Sequence, residues 1–136
     1  FKEKLWAHGY LSPNYTRKEA ESKDGTPIPS RLRRAAQRQA FHMERVRHDC
    51  GDKPLPVLSW YRSPEHNDSV GGASKSQHVK ARGCDVSEET RQRLGPRRFD
   101  RACHKHFANG GIGTQTTPEG PVRHVDSRRG PARWIY

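Results

Sequence analysis

Gly111-Ile-Gly-Thr114, then Thr116-Thr-Pro-Glu-Gly120, then Val122-Arg-His-Val-Asp126 reads as two strands and the loop that joins them. The outer runs carry β-branched residues, and the middle cluster carries turn formers, the usual signature of a hairpin. Successive strand side chains point to opposite faces, so Val122, His124 and Asp126 fall on one side. An imidazole and a carboxylate then stand together on a sheet face. This hairpin therefore decides both the sheet and the place where a cleft would lie.

Working outward, Gly83-Cys-Asp-Val86 reads as another strand, with Asp85 and Cys84 on opposite faces, and Arg133-Trp-Ile-Tyr136 as a closing strand. Pro56-Val-Leu-Ser-Trp60 is a further short strand, followed by Tyr61-Arg-Ser-Pro64 and a polar loop from Glu65 to Lys75. Helices fill the rest. Ser30 caps a long one in which Leu32, Ala36, Ala40, Met43, Val46 and Cys50 step by three or four, ended by Gly51 and Pro54. Ser87 caps a short one stopped by Gly95-Pro96, and Phe99, Ala102, Cys103, His106 and Phe107 form the buried stripe of a third, closed by Asn109-Gly110. Thr16-Arg-Lys-Glu19 has the form of a capping box opening a short helix, and Lys23–Pro29 is a turn-rich connector. The resulting expectation is an α+β fold of one domain over 1–136: a lead-in over 1–29, then a helix plus catalytic sheet over 30–136. A small antiparallel sheet carries the site, flanked by helices.

Composition narrows the function. Only 30% of the 136 residues are hydrophobic, with twelve Gly and ten Pro, so the core is modest and the loops are many. No apolar run approaches the roughly 20 residues of a membrane span, and Phe1-Lys-Glu-Lys-Leu-Trp6 is no signal peptide. The chain begins without Met, which we read as a processed or excised segment. A formal charge of +11 points to a polyanionic partner: nucleic acid, an anionic membrane, or a wall bearing phosphate and carboxylate groups. Arg31, Arg33, Arg34, Arg38, Arg45 and Arg47 line the polar back of the long helix, as a solvated face or as phosphate contacts. Cys50, Cys84 and Cys103 form no zinc-type pair; they read as buried thiols, or as a Cys84–Cys103 disulfide plus one thiol.

Among eight histidines, His8, His42, His48, His66 and His104 sit among charges and read as surface groups, and His106 as helix packing. His78 and His124 differ, because each has a carboxylate close by in a loop or strand context. Two imidazoles and Asp85, with one position left for water, have the composition of a catalytic zinc site; structural sites fill all four positions.

Val70-Gly-Gly-Ala-Ser-Lys-Ser-Gln-His78 followed by Gly83-Cys-Asp85 resembles the signature of the zinc D-Ala-D-Ala carboxypeptidase and murein endopeptidase family, with phage endolysin and hedgehog-like relatives. Tyr61-Arg-Ser-Pro64 with Asn67, Gly110-Gly-Ile-Gly113, and Arg123-His-Val-Asp-Ser-Arg-Arg-Gly130 with Ala132-Arg-Trp134 extend the resemblance over most of the chain from about residue 14. The resemblance implies Zn²⁺ held by His78, Asp85 and His124, with Arg62 steadying a substrate carbonyl or carboxylate and Ser76 orienting Asp85. It also exposes two departures. The family's Gly and Ala between the first His and the Asp stand here as Ala81 and Gly83, effectively exchanged. Pro121 occupies the place where many relatives carry the general-base carboxylate, which leaves Asp126 as the expected proton shuttle and Glu119 as the alternative.

The function expected is zinc-dependent hydrolysis of an amide bond in peptidoglycan stem peptides or cross-links, of endolysin or cell-wall peptidase type. It would act in the cell wall, the extracytoplasmic space or a phage particle, with anionic wall polymers as further partners. A catalytically silent wall-binding or zinc-binding module on the same scaffold is one alternative. A basic nucleic-acid binder using the Arg31–Arg47 helix is the other, and the less favoured.

Overall fold

A computed structural model describes all residues, 1–136. In chain order the elements are α1 (Lys2–Ala7), β1 (Tyr10–Ser12), β2 (Tyr15–Thr16), α2 (Arg33–Asp49, entered through a 3-10 turn at Ser30–Leu32), α3 (Pro64–Ser69), β3 (Gly83–Asp85), α4 (Glu88–Leu94), α5 (Pro96–His106), β4 (Gly111–Thr114), β5 (Val122–Asp126) and β6 (Ala132–Ile135). The fold is α+β. None of its helices is long and apolar enough to cross a membrane.

The main sheet has the order β3-β5-β4-β6. β5 pairs antiparallel with both β3 and β4, so the expected hairpin is its centre. β6 closes the sheet, but it runs parallel to β4, which makes the sheet mixed rather than purely antiparallel. The register aligns Cys84, Val125 and Ile112 across three strands, all buried. That row meets the helices: α2 contributes Ala36, Ala40, Met43 and Val46, and α5 contributes Phe99, Ala102 and Cys103, to one cluster of 23 buried residues. Val122 joins this cluster instead of the site face. The pairing jumps from Gly113↔His124 to Thr114↔Val122, so Arg123 is an extra residue and the strand's alternation slips by one.

Two buried glutamines lock the layers together. Gln39 Nε2 donates to the Val125 carbonyl at 3.2 Å, tying α2 to β5, and Gln37 Nε2 donates to the Lys2 and Leu11 carbonyls at 2.8 and 3.2 Å, tying the lead-in to α2. α5 is clamped to the end of α2 by the His106–Asp49 pair at 2.7 Å. The expected caps operate: Ser87 Oγ accepts from Thr90 N at 3.1 Å, and Gly95, at φ 93°, ends α4.

Three local expectations are corrected. Thr16 and Glu19 do form the reciprocal capping-box bonds, but the segment stays a turn following the two-residue β2. Pro56–Trp60 is no sheet strand. It touches β3 through the single bridge Ser59↔Asp85, with Leu58 N–H to Asp85 O at 2.8 Å; Pro54 and Pro56 have no N–H to extend a ladder. The polar stretch after Arg62 contains a helix, α3, because Ser63 Oγ accepts from His66 N at 3.1 Å and Pro64 fits the first helical position. Helix α1 had no periodic signal. All three cysteines are free and buried, which settles the alternatives in favour of thiols.

Candidate metal centre and cleft

The site grows from two rows of residues that cross the sheet. One row is Asp85, His124, Gly113 and Trp134; the next is Gly83, Asp126, Gly111 and Ala132. The small residues make the large ones possible. A Cβ at Gly113 would stand 2.6 Å from the Trp134 indole, and one at Gly111 would collide with the Asp126 carboxylate. Trp134 can therefore pack on the His124 ring, centroids 5.2 Å apart.

His78 comes from outside the sheet, in the turn that precedes β3. Its N–H donates to Ser76 Oγ at 3.2 Å, and the turn closes through Ala81 N–H to the His78 carbonyl at 3.1 Å. Ala81 itself adopts φ 58° with its methyl fully buried. The exchange of the family's Gly and Ala thus puts an L-residue in the left-handed region, at a strain of about 1–2 kcal/mol.

Three donor groups converge. His78 Nε2 lies 3.2 Å and His124 Nδ1 2.9 Å from Asp85 Oδ1, and one ligand atom from each of the three residues lies within 4.8 Å of the others. Each ring is held from behind. His78 Nδ1 bonds the Trp60 carbonyl at 2.7 Å, and His124 Nε2 bonds Asp126 Oδ2 at 2.7 Å. The remaining nitrogen of each imidazole is thereby left facing Asp85. Burial alone would raise the Asp85 pKa, but the His124 and His78 hydrogen bonds and charges outweigh it and hold the carboxyl well below the usual range. At His124, burial works against protonation, yet the bonds to Asp126 and Asp85 raise its pKa.

Asp126 does not occupy the place expected of a proton shuttle. Its side chain has no exposure, and it lies across the His124 ring from Asp85. Oδ1 accepts from Gly111 N at 3.0 Å, Arg128 N at 3.2 Å and Arg128 Nε at 2.8 Å, and Oδ2 accepts from Arg128 Nη2 at 2.8 Å as well as from His124. Burial favours its neutral form, but the Arg128 and His124 bonds prevail and keep it ionised. Glu119 is no closer to that role: it is exposed in the β4–β5 loop, where its carbonyl meets His104 at 2.9 Å, beside a different cavity. Ser76 borders the cleft but touches His78 rather than Asp85.

The cleft over the trio measures about 510 Å³, ample for a small ligand. Arg62, Lys75, Gln77, Arg128, Trp134 and Tyr136 border it, and Asp85 is its only carboxylate. Arg62 Nη2 lies 3.3 Å from Asp85 Oδ2, and its other terminal nitrogen reaches the buried Asn67 Oδ1 at 3.5 Å. Sequence reasoning gave no role to Arg128, Trp134 or Tyr136. The period-two pattern of β6 puts Trp134 and Tyr136 on one side, but nothing local signals that Arg128 would fold back on Asp126.

Comparison with known proteins bears on the family of the chain. A zinc D-Ala-D-Ala carboxypeptidase of Streptomyces albus G is 39% identical to the chain over 46 residues, which cover 34% of this chain and 18% of that protein. The aligned stretch is thus less than a fifth of the relative's length. The model of the peptidase M15 family matches residues 11–119, from β1 into the loop before β5, so His124 and Asp126 join the site on geometry alone. That match covers most of the protein, and the chain belongs to the peptidase M15 family.

Proposed function

We propose that the protein is a zinc-dependent peptidase acting on an amide bond of peptidoglycan stem peptides or cross-links. The observation that carries this reading is the convergence of His78 Nε2, His124 Nδ1 and Asp85 on one point at the floor of a cationic cleft. Two imidazoles and a carboxylate are a suitable zinc donor set with room for a fourth ligand. Zinc donors sit about 2.0–2.1 Å from the ion at tetrahedral corners, so they are about 3.3 Å apart. The separations of 3.2 and 2.9 Å are close to that, and the two rings are already fixed by Trp60 and Asp126.

When bound there, zinc would acidify a water and polarise the scissile carbonyl. The chain's own groups supply the rest. Asp85 contributes charge as well as a ligand atom. Arg62 offers its donor fork to the substrate's carbonyl or carboxylate oxygen. Lys75 and Arg128 add positive charge at the rim, which suits the free carboxylates of stem peptides and draws an anionic wall toward the cleft. Trp134 and Tyr136 line the cleft with two aromatic rings set edge to face. In this reading Asp126 sets the tautomer of His124 and takes no proton from water.

The relative from Streptomyces albus G, named for D-Ala-D-Ala carboxypeptidase action, supports the substrate class. A second reading, a zinc-holding wall-binding module, draws on the absence of any cleft carboxylate besides Asp85. One experiment separates them: mass spectrometry of purified peptidoglycan after incubation with the zinc-loaded protein, with and without chelator. New peptide termini that vanish with the chelator, and in His78→Ala, are the expected result. Intact fragments alongside retained wall affinity would leave the binding module standing.

A further inference from the structure

Beyond the C-terminal end of β5 lies a second pocket, closed by α2 and by the end of α5. Arg38, His42, Lys105, His106, Ser127 and Arg128 border it, together with the backbone turn Phe107–Gly110, and it measures about 130 Å³. That is room for roughly four waters, or for one tetrahedral oxyanion.

Its charge is lopsided. Asp126 is the only carboxylate on the lining, and its two oxygens are taken by His124, Arg128 and the Gly111 amide. His106 is turned to Asp49, and Arg128 commits Nε and Nη2 to Asp126. Arg38 and Lys105 are exposed and take part in no ion pair. At nearby Arg82 burial lowers the pKa, the Asp126 charge raises it, and the charges of Arg128, Arg129 and Arg38 lower it. The carbonyl end of α5 sets about half a negative charge against these cations, far too little to balance them.

An independent feature belongs to Ser127. It is only 6% exposed, it lines this pocket, and its hydroxyl oxygen is buried with no hydrogen-bond partner in the protein. Buried hydroxyls without a partner are uncommon and call for one. Unpaired cations border one small space, and a hydroxyl without an acceptor lies buried in its wall.

We propose that this pocket binds a phosphate group, held by Arg38, Lys105 and the remaining guanidinium nitrogen of Arg128, with the Ser127 hydroxyl donating to it. Arg128 also borders the metal cleft, so the two sites share one side chain.

The test is a titration of the zinc-loaded, ¹⁵N-labelled protein with inorganic phosphate at constant ionic strength, chloride replacing phosphate in the reference. Saturable shifts of the Asn109, Gly110 and Ser127 amides are expected. The Arg38→Gln/Lys105→Gln double variant should weaken them at least tenfold, and Ser127→Ala severalfold. His78→Ala, which disables the metal centre, should leave them intact; this separates the pocket from phosphate bound at the metal. A glycerol phosphodiester in a parallel arm distinguishes the source. Saturation of the same amides identifies a polymer-linked phosphate, and saturation by the free ion alone identifies inorganic phosphate. Linear shifts that chloride reproduces, or shifts unchanged in the double variant, overturn the proposal.

Discussion

Asp126→Asn separates the two roles a carboxylate in this position can play. The asparagine carbonyl can keep the bonds from Gly111 N, Arg128 N and Arg128 Nε that Oδ1 now accepts. Its amide then replaces Oδ2, and donors face both His124 Nε2 and Arg128 Nη2, now 2.7 and 2.8 Å away. The conflict at His124 is relieved by moving its proton to Nδ1, the nitrogen that faces Asp85. That is the wrong tautomer for holding a cation. Loss of such an orienting partner lowers metal affinity 10–100-fold, about 1.4–2.8 kcal/mol. Folding stability falls as well, by about 2 kcal/mol, since a hydrogen bond between charged groups is lost but Arg128 is 29% exposed and can reach water.

The assay is zinc competition against a chelator, run beside peptidoglycan cleavage over a range of zinc concentrations. The variant should bind zinc 10–100-fold more weakly and recover to within about tenfold of the parent rate once the metal is saturating. A proton carrier behaves otherwise: its removal costs 10²–10⁴ in rate whatever the metal concentration. Unchanged zinc affinity with a rate that saturating zinc does not restore would refute the orienting role.

Gly111→Ala should reproduce part of that phenotype without touching a charge, because its Cβ collides with the Asp126 carboxylate; overpacking of this kind costs about 1–3 kcal/mol, measurable by urea unfolding, and zinc affinity should fall with it. Arg62→Gln should lower kcat by about 10²–10³, in the range of a lost oxyanion donor, while zinc affinity changes little; an unaltered kcat would remove Arg62 from the chemistry. The thiols offer a check on the core. Burial raises the pKa of Cys50, Cys84 and Cys103, which suppresses the thiolate, so a disulfide-exchange reagent at pH 8 should find almost no reactive thiol in the native protein and all three in urea without reductant. A single thiol in urea would mean a disulfide after all.

What could be read from the chain beforehand was whatever is encoded locally. α2, α4 and α5 declare themselves through periodic apolar residues and through Ser87 and Gly95; β3, β4 and β5 declare themselves through alternation between turn formers. His78, Asp85 and His124 stood out because the motif around them is ordered and specific. Other features are set by distant partners. β6 runs parallel to β4 because the chain crosses over after Arg128, and no pattern within four residues reports strand direction. The extra residue at Arg123 is visible only in the pairing, so Val122 was assigned to the wrong face. α3 was missed despite a legible signal, Ser63-Pro64, because its residues are polar throughout.

The depth at which Asp126 sits argues for an anchor rather than a proton carrier, and the reason for that depth also explains the site. Period two correctly placed it beside His124, but period two says nothing about depth. Burying a carboxylate with no exposure is costly unless it is paired and hydrogen-bonded, and here Gly111, Arg128 and His124 provide that at once. The glycines across the sheet are what make this fit possible, since side chains at 111 and 113 would displace Asp126 and Trp134. Glycine in a strand interior weakens the sheet, so the arrangement exchanges some stability for a histidine ring fixed on one edge by Asp126 and packed against Trp134. A carboxylate sealed this way is a poor acid–base group for a water in the cleft, because it has no exposure there and both its oxygens are already committed to Gly111, Arg128 and His124. It is a good anchor, because its ionisation and position are both fixed before any ligand arrives. The same burial that disqualifies Asp126 from moving protons qualifies it to hold His124 still.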